Sequence, residues 1–226
     1  MLALGPKFPN VFEHETDKGK SLYTKSILPG VKHFGEYIFV EGTEEYRFWD
    51  PFKSKLAAAL AKRLAQCGIK EGDKVLYLGA SHGYTPSFIS DIIGKKGFMF
   101  CLDSAPRVIR DLLFVTELRA NMTPILADAN QPKSYQHLLC RVDILYQDVA
   151  QKNQVEIFLK NADAYLRGGG FGLLAIKARS MDVTKNPRVI FKEAMLQLEE
   201  HHLTVVDHRL LDPFEKDHAF FVVKKK

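Results

Sequence analysis

With 226 residues, 46% hydrophobic and 26% charged, the chain has room for one α/β domain with an appendage and not for two catalytic domains. A formal charge of +5 and a pI near 9.0 suit a polyanionic partner without requiring one, because Lys224, Lys225 and Lys226 supply much of the excess. No apolar run reaches ~18 residues and the N-terminus lacks a basic-then-apolar pattern, which argues against a membrane span and against export.

Residues 1 to 52 are rich in glycine, proline and β-formers. SLYTKSI, EYIFVEG and EEYRFWD read as strands separated by turns such as Pro29-Gly30, so a small β-subdomain is expected. Residues 53 to 226 read as the main domain. It opens with a helix N-capped by Ser54, its apolar positions Leu56, Ala59, Leu60 and Leu64 running at helical spacing to Cys67. Strands and helices then alternate. VLYL leads to a helix over Pro86 to Ile93, FMFCLD to a helix over Pro106 to Ala120, and TPILAD to a short helical piece over Ser134 to Leu139. VDILYQD, a helix over Val155 to Leu166, a Gly168-Gly169-Gly170 turn, FGLLAIK and a helix from Asn186-Pro187 to His201 follow. Such alternation predicts a parallel sheet covered on both faces. LTVVDHRL and AFFVVKK are joined by a loop too short for a crossover helix, so the last strand is expected to run antiparallel.

Cys67, Cys101 and Cys140 are odd in number, unclustered and in apolar surroundings. They read as buried thiols of a reducing, cytoplasmic compartment and not as a disulfide frame or a metal site. His201-His202 read as complements to a helix dipole.

The stretch from Val75 to Asp103 carries the first functional signal. A strand followed by Gly79, Ala80, Ser81 and then Gly83 lets the backbone approach a ligand closely, and a helix N-terminus follows. Asp103, at the end of the next strand, is placed to accept from a ribose diol. Gly79-x-x-x-Gly83 is not the G-x-G-x-x-G of a dinucleotide site, so close pyrophosphate approach is poorly supported, whereas S-adenosylmethionine has a ribose and adenine but no phosphate. In an open parallel sheet, ligands bind beyond the carboxyl ends of the strands, where Gly79, Asp103, Asp128, Asp148 and Lys177 all fall. A reversed last strand begins at that edge, which brings His218 to the same rim. Seven strands with one reversed at the end match the common Rossmann-like sheet of S-adenosylmethionine-dependent methyltransferases, and that fold is expected.

Six ordered segments sharpen this. EYRFWDPFKSKLAAAL, KVLYLGASHGYTPS, ADAN, DVAQ, IKARSMDVTK and DPFEKDHA resemble fibrillarin in its archaeal form, without the glycine-arginine tail, from about Glu45 to Val223 and most weakly in the first forty residues. The resemblance implies 2′-O-methylation of ribose in rRNA and tRNA within a box C/D guide ribonucleoprotein. The implied partners are the guide RNA, a Nop-family scaffold protein and a kink-turn-binding protein of the L7Ae type. It also implies a cytoplasmic location in an archaeal cell, nucleolar in a eukaryote. The family's cofactor positions carry onto Tyr84, Thr85, Asp103, Ser104, Asp128, Ala129 and the run Asp148, Val149, Ala150, Gln151, and its catalytic set onto Lys55, Asp148, Lys177 and His218.

The chain departs from the family pattern in a Gly83-Tyr84-Thr85 turn where Gly-Thr-Thr is usual, an Asp103 where Glu is usual, and a His82 in a turn of small residues. Tyr84 is expected to crowd the methionine end of the cofactor or to stack beside it, and Asp103 reaches one methylene less far. Methyl transfer to a ribose hydroxyl is an in-line displacement. Positioning is worth ~7 to 11 kcal/mol and a general base roughly 10²- to 10⁴-fold. Asp148 is expected to orient Lys177, with Lys177 contacting the 2′-oxygen and the acceptor of the proton left open. Arg107, Arg110, Lys177, Arg179, Lys185 and Arg188 lie on segments expected to border the crevice and are the candidate RNA contacts, with a solvated basic face as the other reading of the same charges. Alone, Lys55 reads as a solvated lysine, His218 as a strand-edge histidine and Asp128 as a turn former. Two other readings stand beside the enzyme: a non-catalytic scaffold that has lost the cofactor through His82 and Tyr84, and a methyltransferase that works without a guide.

Overall fold

The computed structural model describes residues 5–16 and 19–226. The main sheet has seven strands: β6 (Lys74–Leu78), β7 (Phe98–Asp103), β8 (Met122–Leu126), β9 (Val142–Gln147), β10 (Leu166–Lys177), β11 (Leu203–Leu210) and β12 (His218–Lys225), in the order β11-β12-β10-β9-β6-β7-β8. β12 pairs antiparallel with both its neighbours and the remaining pairings are parallel, as the short final loop predicts. Because side chains alternate across a strand, Val75, Tyr77, Ile144 and Tyr146 enter one core while Leu76, Leu78, Leu145 and Leu174 enter the other. Burial on both faces explains the near-continuous apolar strands.

The helices are α1 (Lys55–Ala61), α2 (Tyr84–Ile93), α3 (Pro106–Thr116), α4 (Gln154–Tyr165), α5 (Ala178–Met181) and α6 (Pro187–Glu200), with a 3-10 turn over Pro132–Leu138. α1 stops six residues before the expected Cys67. Lys62 is its C-cap, Arg63 takes a left-handed φ of 62°, and Leu64 N–H reaches back to the Ala59 carbonyl. That is a Schellman ending, with arginine where glycine is usual and Leu64 as its buried apolar contact. The Arg209 guanidinium donates to the carbonyls of Lys62 and Arg63, completing the cap. α3 also ends early, at Thr116, where the chain turns to bury Arg119. The three glycines before Phe171 form an irregularity inside β10: five residues advance there against two on β9.

The second sheet contains β1 (Gly5–Phe8), β2 (Val11–Thr16), β3 (Gly19–Lys25), β4 (Ile38–Glu41) and β5 (Glu44–Phe48), all antiparallel in the order β1-β2-β3-β5-β4. The sequence suggested three strands; β1 and β2 are additional, turned by Pro9 and a left-handed Asn10 whose carboxamide donates to the Ile92 carbonyl of α2. The sheet is anchored to α2 by a buried charge network. Asp91 accepts from Arg47, Arg119, Thr24 and the Ile27 N–H, and Arg47 also donates to Glu36 and to both oxygens of Ser87. Two arginines and two carboxylates balance, which is what makes full burial tolerable. Cys67 and Cys101 are buried as expected; Cys140, on the loop entering β9, is exposed, which corrects the reading of all three as buried. No helix among the described residues is long and apolar enough to cross a membrane.

Candidate active site

The chain leaves β6 towards β7 and β8 on one side, while β9 and β10 lie on the other, so the carboxyl ends of β6 and β9 flank the switch point of the sheet, where open α/β sheets bind ligands. A crevice of about 290 Å³ opens there. Its lining includes Gly79, Asp103, Ser104, Ala129, Asp148, Val149, Ala150 and Gln151, each singled out from sequence, together with Ser81 of the glycine turn and Leu102, which was not.

Gly79 is forced by its neighbour. Its φ is +82°, and a Cβ would stand 2.3 Å from the Asp148 carbonyl oxygen, inside any permissible contact. The first turn of the crevice therefore closes only on glycine. Gly83 (φ +88°) plays a different part: a Cβ would meet Leu112 of α3 at 2.7 Å, so its bareness serves packing beneath α3 and not ligand approach. Asp103 receives the Ser81 N–H on one carboxylate oxygen (2.9 Å) and the Ala105 N–H on the other (3.0 Å). These two bonds fix its plane, and each oxygen retains a lone pair for one hydroxyl of a diol.

Five of the sequence-derived cofactor positions lie outside the lining. Ala80 is buried in the core behind the turn, joining Gly83 there. Thr85 is buried and donates to the Ser54 hydroxyl, tying the start of α2 to the cap of α1. Tyr84 turns towards the second sheet: its ring sits edge-on to Phe34 and tilted against Phe88, and its hydroxyl accepts from the Asp50 N–H. Burial pushes its phenol up to about 12. It therefore neither crowds the crevice nor stacks in it, contrary to expectation. His82 points outward onto Asp111 at 3.1 Å. Asp128 is a turn former, accepting the N–H and carboxamide of Asn130. Through Asn130, which sequence reading passed over, it is joined to Gln151 on the crevice wall (2.7 Å) and to Asn153 (2.8 Å).

Beside the crevice stand the four residues taken as a catalytic set. Lys55, the first residue of α1, donates to Asp148 Oδ2 at 2.8 Å. The ion pair of Asp148 is thus with Lys55 and not with Lys177, the partner expected from sequence. Lys177 and His218 face each other across the β10–β12 ladder. The Lys177 N–H and C=O both bond Gln154, away from β12, and the His218 C=O accepts from Leu211, away from β10. Theirs is the narrow, non-hydrogen-bonded kind of pair, in which Cα atoms stand roughly 4.5 Å apart and the side chains adjoin. His218 is buried and its Nδ1 lies 2.7 Å from the Lys216 carbonyl, so Nδ1 carries the proton and Nε2 is the free nitrogen. Neither Asp148 Oδ1 nor His218 Nε2 has a hydrogen-bond partner among the described residues.

Of the candidate RNA contacts, Arg179 pairs with Asp217 and Lys185 with Glu193. Arg107, Arg110 and Arg188 are exposed and form no salt bridge among the described residues.

A family model described as fibrillarin matches residues 4–226. The fibrillarin-like rRNA/tRNA 2′-O-methyltransferase of Methanocaldococcus jannaschii is 50% identical over 216 residues, 95% of this chain and 94% of the relative. Among solved structures, Aeropyrum pernix fibrillarin in complex with natively bound S-adenosyl-L-methionine is similar with a TM-score of 0.88 and 44% identity, over 99% of this chain and 100% of the other. A chain of a fibrillarin/Nop5p complex is similar with a TM-score of 0.84 and 36% identity, over 96% and 98%.

Proposed function

The chain belongs to the fibrillarin family, and from that premise we propose that it is an S-adenosylmethionine-dependent 2′-O-methyltransferase acting on ribose in rRNA and tRNA, directed by a box C/D guide RNA. The observation that carries the reading is the junction of two half-sites. Gly79 and Asp103 supply a crevice suited to a ribose, and the Lys55–Asp148 pair stands at its wall. The crevice fits the cofactor on its own terms: a bare glycine where a side chain would collide, a carboxylate with two open lone pairs, and the carboxamide of Gln151 in the lining. Bound there, S-adenosylmethionine supplies an electrophilic methyl group on a sulfonium.

The residues of the chain do the rest. Asp103 holds a ribose diol, and Ala129, Val149 and Ala150 give apolar contact around it. Lys55 holds one oxygen of Asp148 and leaves Oδ1 free to accept from a 2′-hydroxyl. Lys177, exposed at the rim, contacts the 2′-oxygen as negative charge develops on it. Asp148 Oδ1 and His218 Nε2 are the two acceptors open to the departing proton. Proton transfer to a positioned acceptor is worth roughly 10²- to 10⁴-fold, and holding the hydroxyl in line is worth more.

We assign sequence selection to the guide and docking to a Nop-family scaffold, the kind of partner named in the complex of the similar chain. A kink-turn-binding L7Ae-type protein completes the particle, and its place of work is the cytoplasm of an archaeal cell. The scaffold-only reading loses its basis, since His82 and Tyr84 both turn away from the crevice. The test is reconstitution with scaffold, kink-turn protein and guide RNA, following labelled methyl onto the guided 2′-oxygen. Asp148→Ala is expected to lower transfer by at least 10²-fold. Absence of transfer by the wild type, or undiminished transfer by the variant, overturns the proposal.

A further inference from the structure

β9 ends at Gln147, opposite Leu174, but β10 runs on for three more residues to Lys177. Past Gln147, the edge of β10 that faced β9 has no strand beside it. Two buried carboxamides fill that gap. Gln154, the first residue of α4, accepts the Lys177 N–H on Oε1 (3.0 Å) and donates from Nε2 to the Lys177 carbonyl (3.2 Å). Gln147, immediately before Asp148, donates from Nε2 to the Gln154 carbonyl at 2.7 Å. Both side chains are 0% exposed. One primary amide, engaged at both ends by one residue's backbone, imitates the rung of a strand ladder and continues the sheet by one register.

We infer that Gln154 is a positioning residue: it fixes the backbone of Lys177 at the rim and, through Gln147, ties that position to Asp148. It does not line the crevice and meets the rim only through the backbone of Lys177. The consequence is geometric. The Lys177 ammonium is carried on a flexible four-carbon stem, so the fixed part of its placement is where its Cα stands. On one side that is held by the narrow pair with His218, which contributes no backbone hydrogen bond between the two, and on the other by Gln154. The distance between the charge of Lys177 and that of Asp148 therefore depends on two carboxamides that carry no charge.

This inference rests on the methyltransferase reading, and its test separates the two. Gln154→Met keeps the length and bulk of the side chain and removes both bonds to Lys177, while the Gln147 bond to the main-chain carbonyl of residue 154 remains. Gln154→Glu keeps the acceptor for the Lys177 N–H and sets a carboxylate oxygen against its carbonyl. In the reconstituted particle at saturating cofactor and RNA, both variants are expected to lose roughly tenfold to a hundredfold in single-turnover transfer. The dissociation constant for S-adenosylmethionine, measured by calorimetry, is expected to stay within threefold. Loss of packing alone would not produce that split. Amide hydrogen exchange at Lys177 is the second readout: slow in the wild type and accelerated at least tenfold in Gln154→Met, whether or not the particle is active. Fast exchange at Lys177 in the wild-type protein, or unchanged transfer by folded variants, overturns the inference. A wild type that protects Lys177 but transfers no methyl overturns the enzyme reading and leaves the clamp standing.

Discussion

At the scale of single residues, the site is decided by positions where only one side chain will do. Gly79 is the clearest. With φ at +82° and the Asp148 carbonyl 2.3 Å from where a Cβ would be, Gly79→Ala requires the turn or the end of β9 to move. The left-handed strain alone costs about 1 to 3 kcal/mol. Calorimetry of Gly79→Ala is expected to show cofactor binding weakened at least tenfold, with a lowered urea midpoint. Tyr84 tests the opposite case. Sequence placed it in the crevice because it follows the glycine turn; the structure turns it onto Phe34, Phe88 and the Asp50 N–H. Tyr84→Thr is therefore expected to leave cofactor affinity within threefold and to destabilise the fold by ~1 to 3 kcal/mol, measured by urea unfolding. A tenfold change in affinity with unchanged stability would refute this placement. The contrast shows what was legible at this scale. Gly79, Asp103 and Asp148 could be read because strand ends and glycine turns have a fixed geometric meaning. The partner of Asp148 could not, since Lys55 precedes it by 93 residues and only packing of α1 against the sheet brings the two together.

At the scale of elements, the pattern of strands and helices was legible through its periodicity, and the two helices that end early share one cause. A helix end set by tertiary contacts leaves no local mark. α1 stops at Ala61 because Arg63 takes the left-handed cap position and Arg209, far along the chain, satisfies the freed carbonyls. α3 stops at Thr116 because Arg119 is drawn inward to Asp91. The network around Asp91 is the element-level joint between the second sheet and α2, and it is sensitive to loss of any one member. Asp91→Ala leaves two buried guanidinium groups against the single carboxylate of Glu36, and is expected to cost about 3 to 5 kcal/mol in urea unfolding. Glu36 gives the network a pH signature. Burial pushes its carboxyl up, but the Arg47 charge and hydrogen bonds, with the backbone N–H of Phe34, outweigh this and hold it below the ordinary 4.5. A carboxyl depressed on folding stabilises the protein above its unfolded value and loses that contribution as pH falls through the folded one. The stability gap between wild type and Glu36→Gln is therefore expected to be full at neutral pH and to narrow as pH drops below 4.5. A gap independent of pH would show that Glu36 contributes packing and not charge.

At the scale of the whole molecule, the question is whether the two sheets are two folding units. Composition suggested a boundary at residues 52 and 53, and the strands do segregate there, with β5 ending at Phe48 and α1 beginning at Lys55. The core does not segregate. Val11, Leu22 and Trp49 from the first part belong to the same buried cluster as Phe88, Ile92, Tyr77 and Leu173 of the main sheet and its helix. Trp49 is fully buried and stacks on Phe88 with centroids 5.2 Å apart and planes 9° from parallel. It precedes the Lys55 that bonds Asp148 by six residues, so the docking of the second sheet also bears on the rim. Shared apolar burial and a shared charge network together predict one cooperative transition. The chain has a single tryptophan, which makes this measurable: Trp49 fluorescence reports docking of the second sheet, and far-UV circular dichroism reports both sheets and all helices. The two probes are expected to give coincident urea transitions. Asp91→Ala is expected to shift both midpoints downward together. A fluorescence transition that precedes loss of the circular dichroism signal would instead establish the first 52 residues as a separately melting unit, laid over a methyltransferase domain that stands without them.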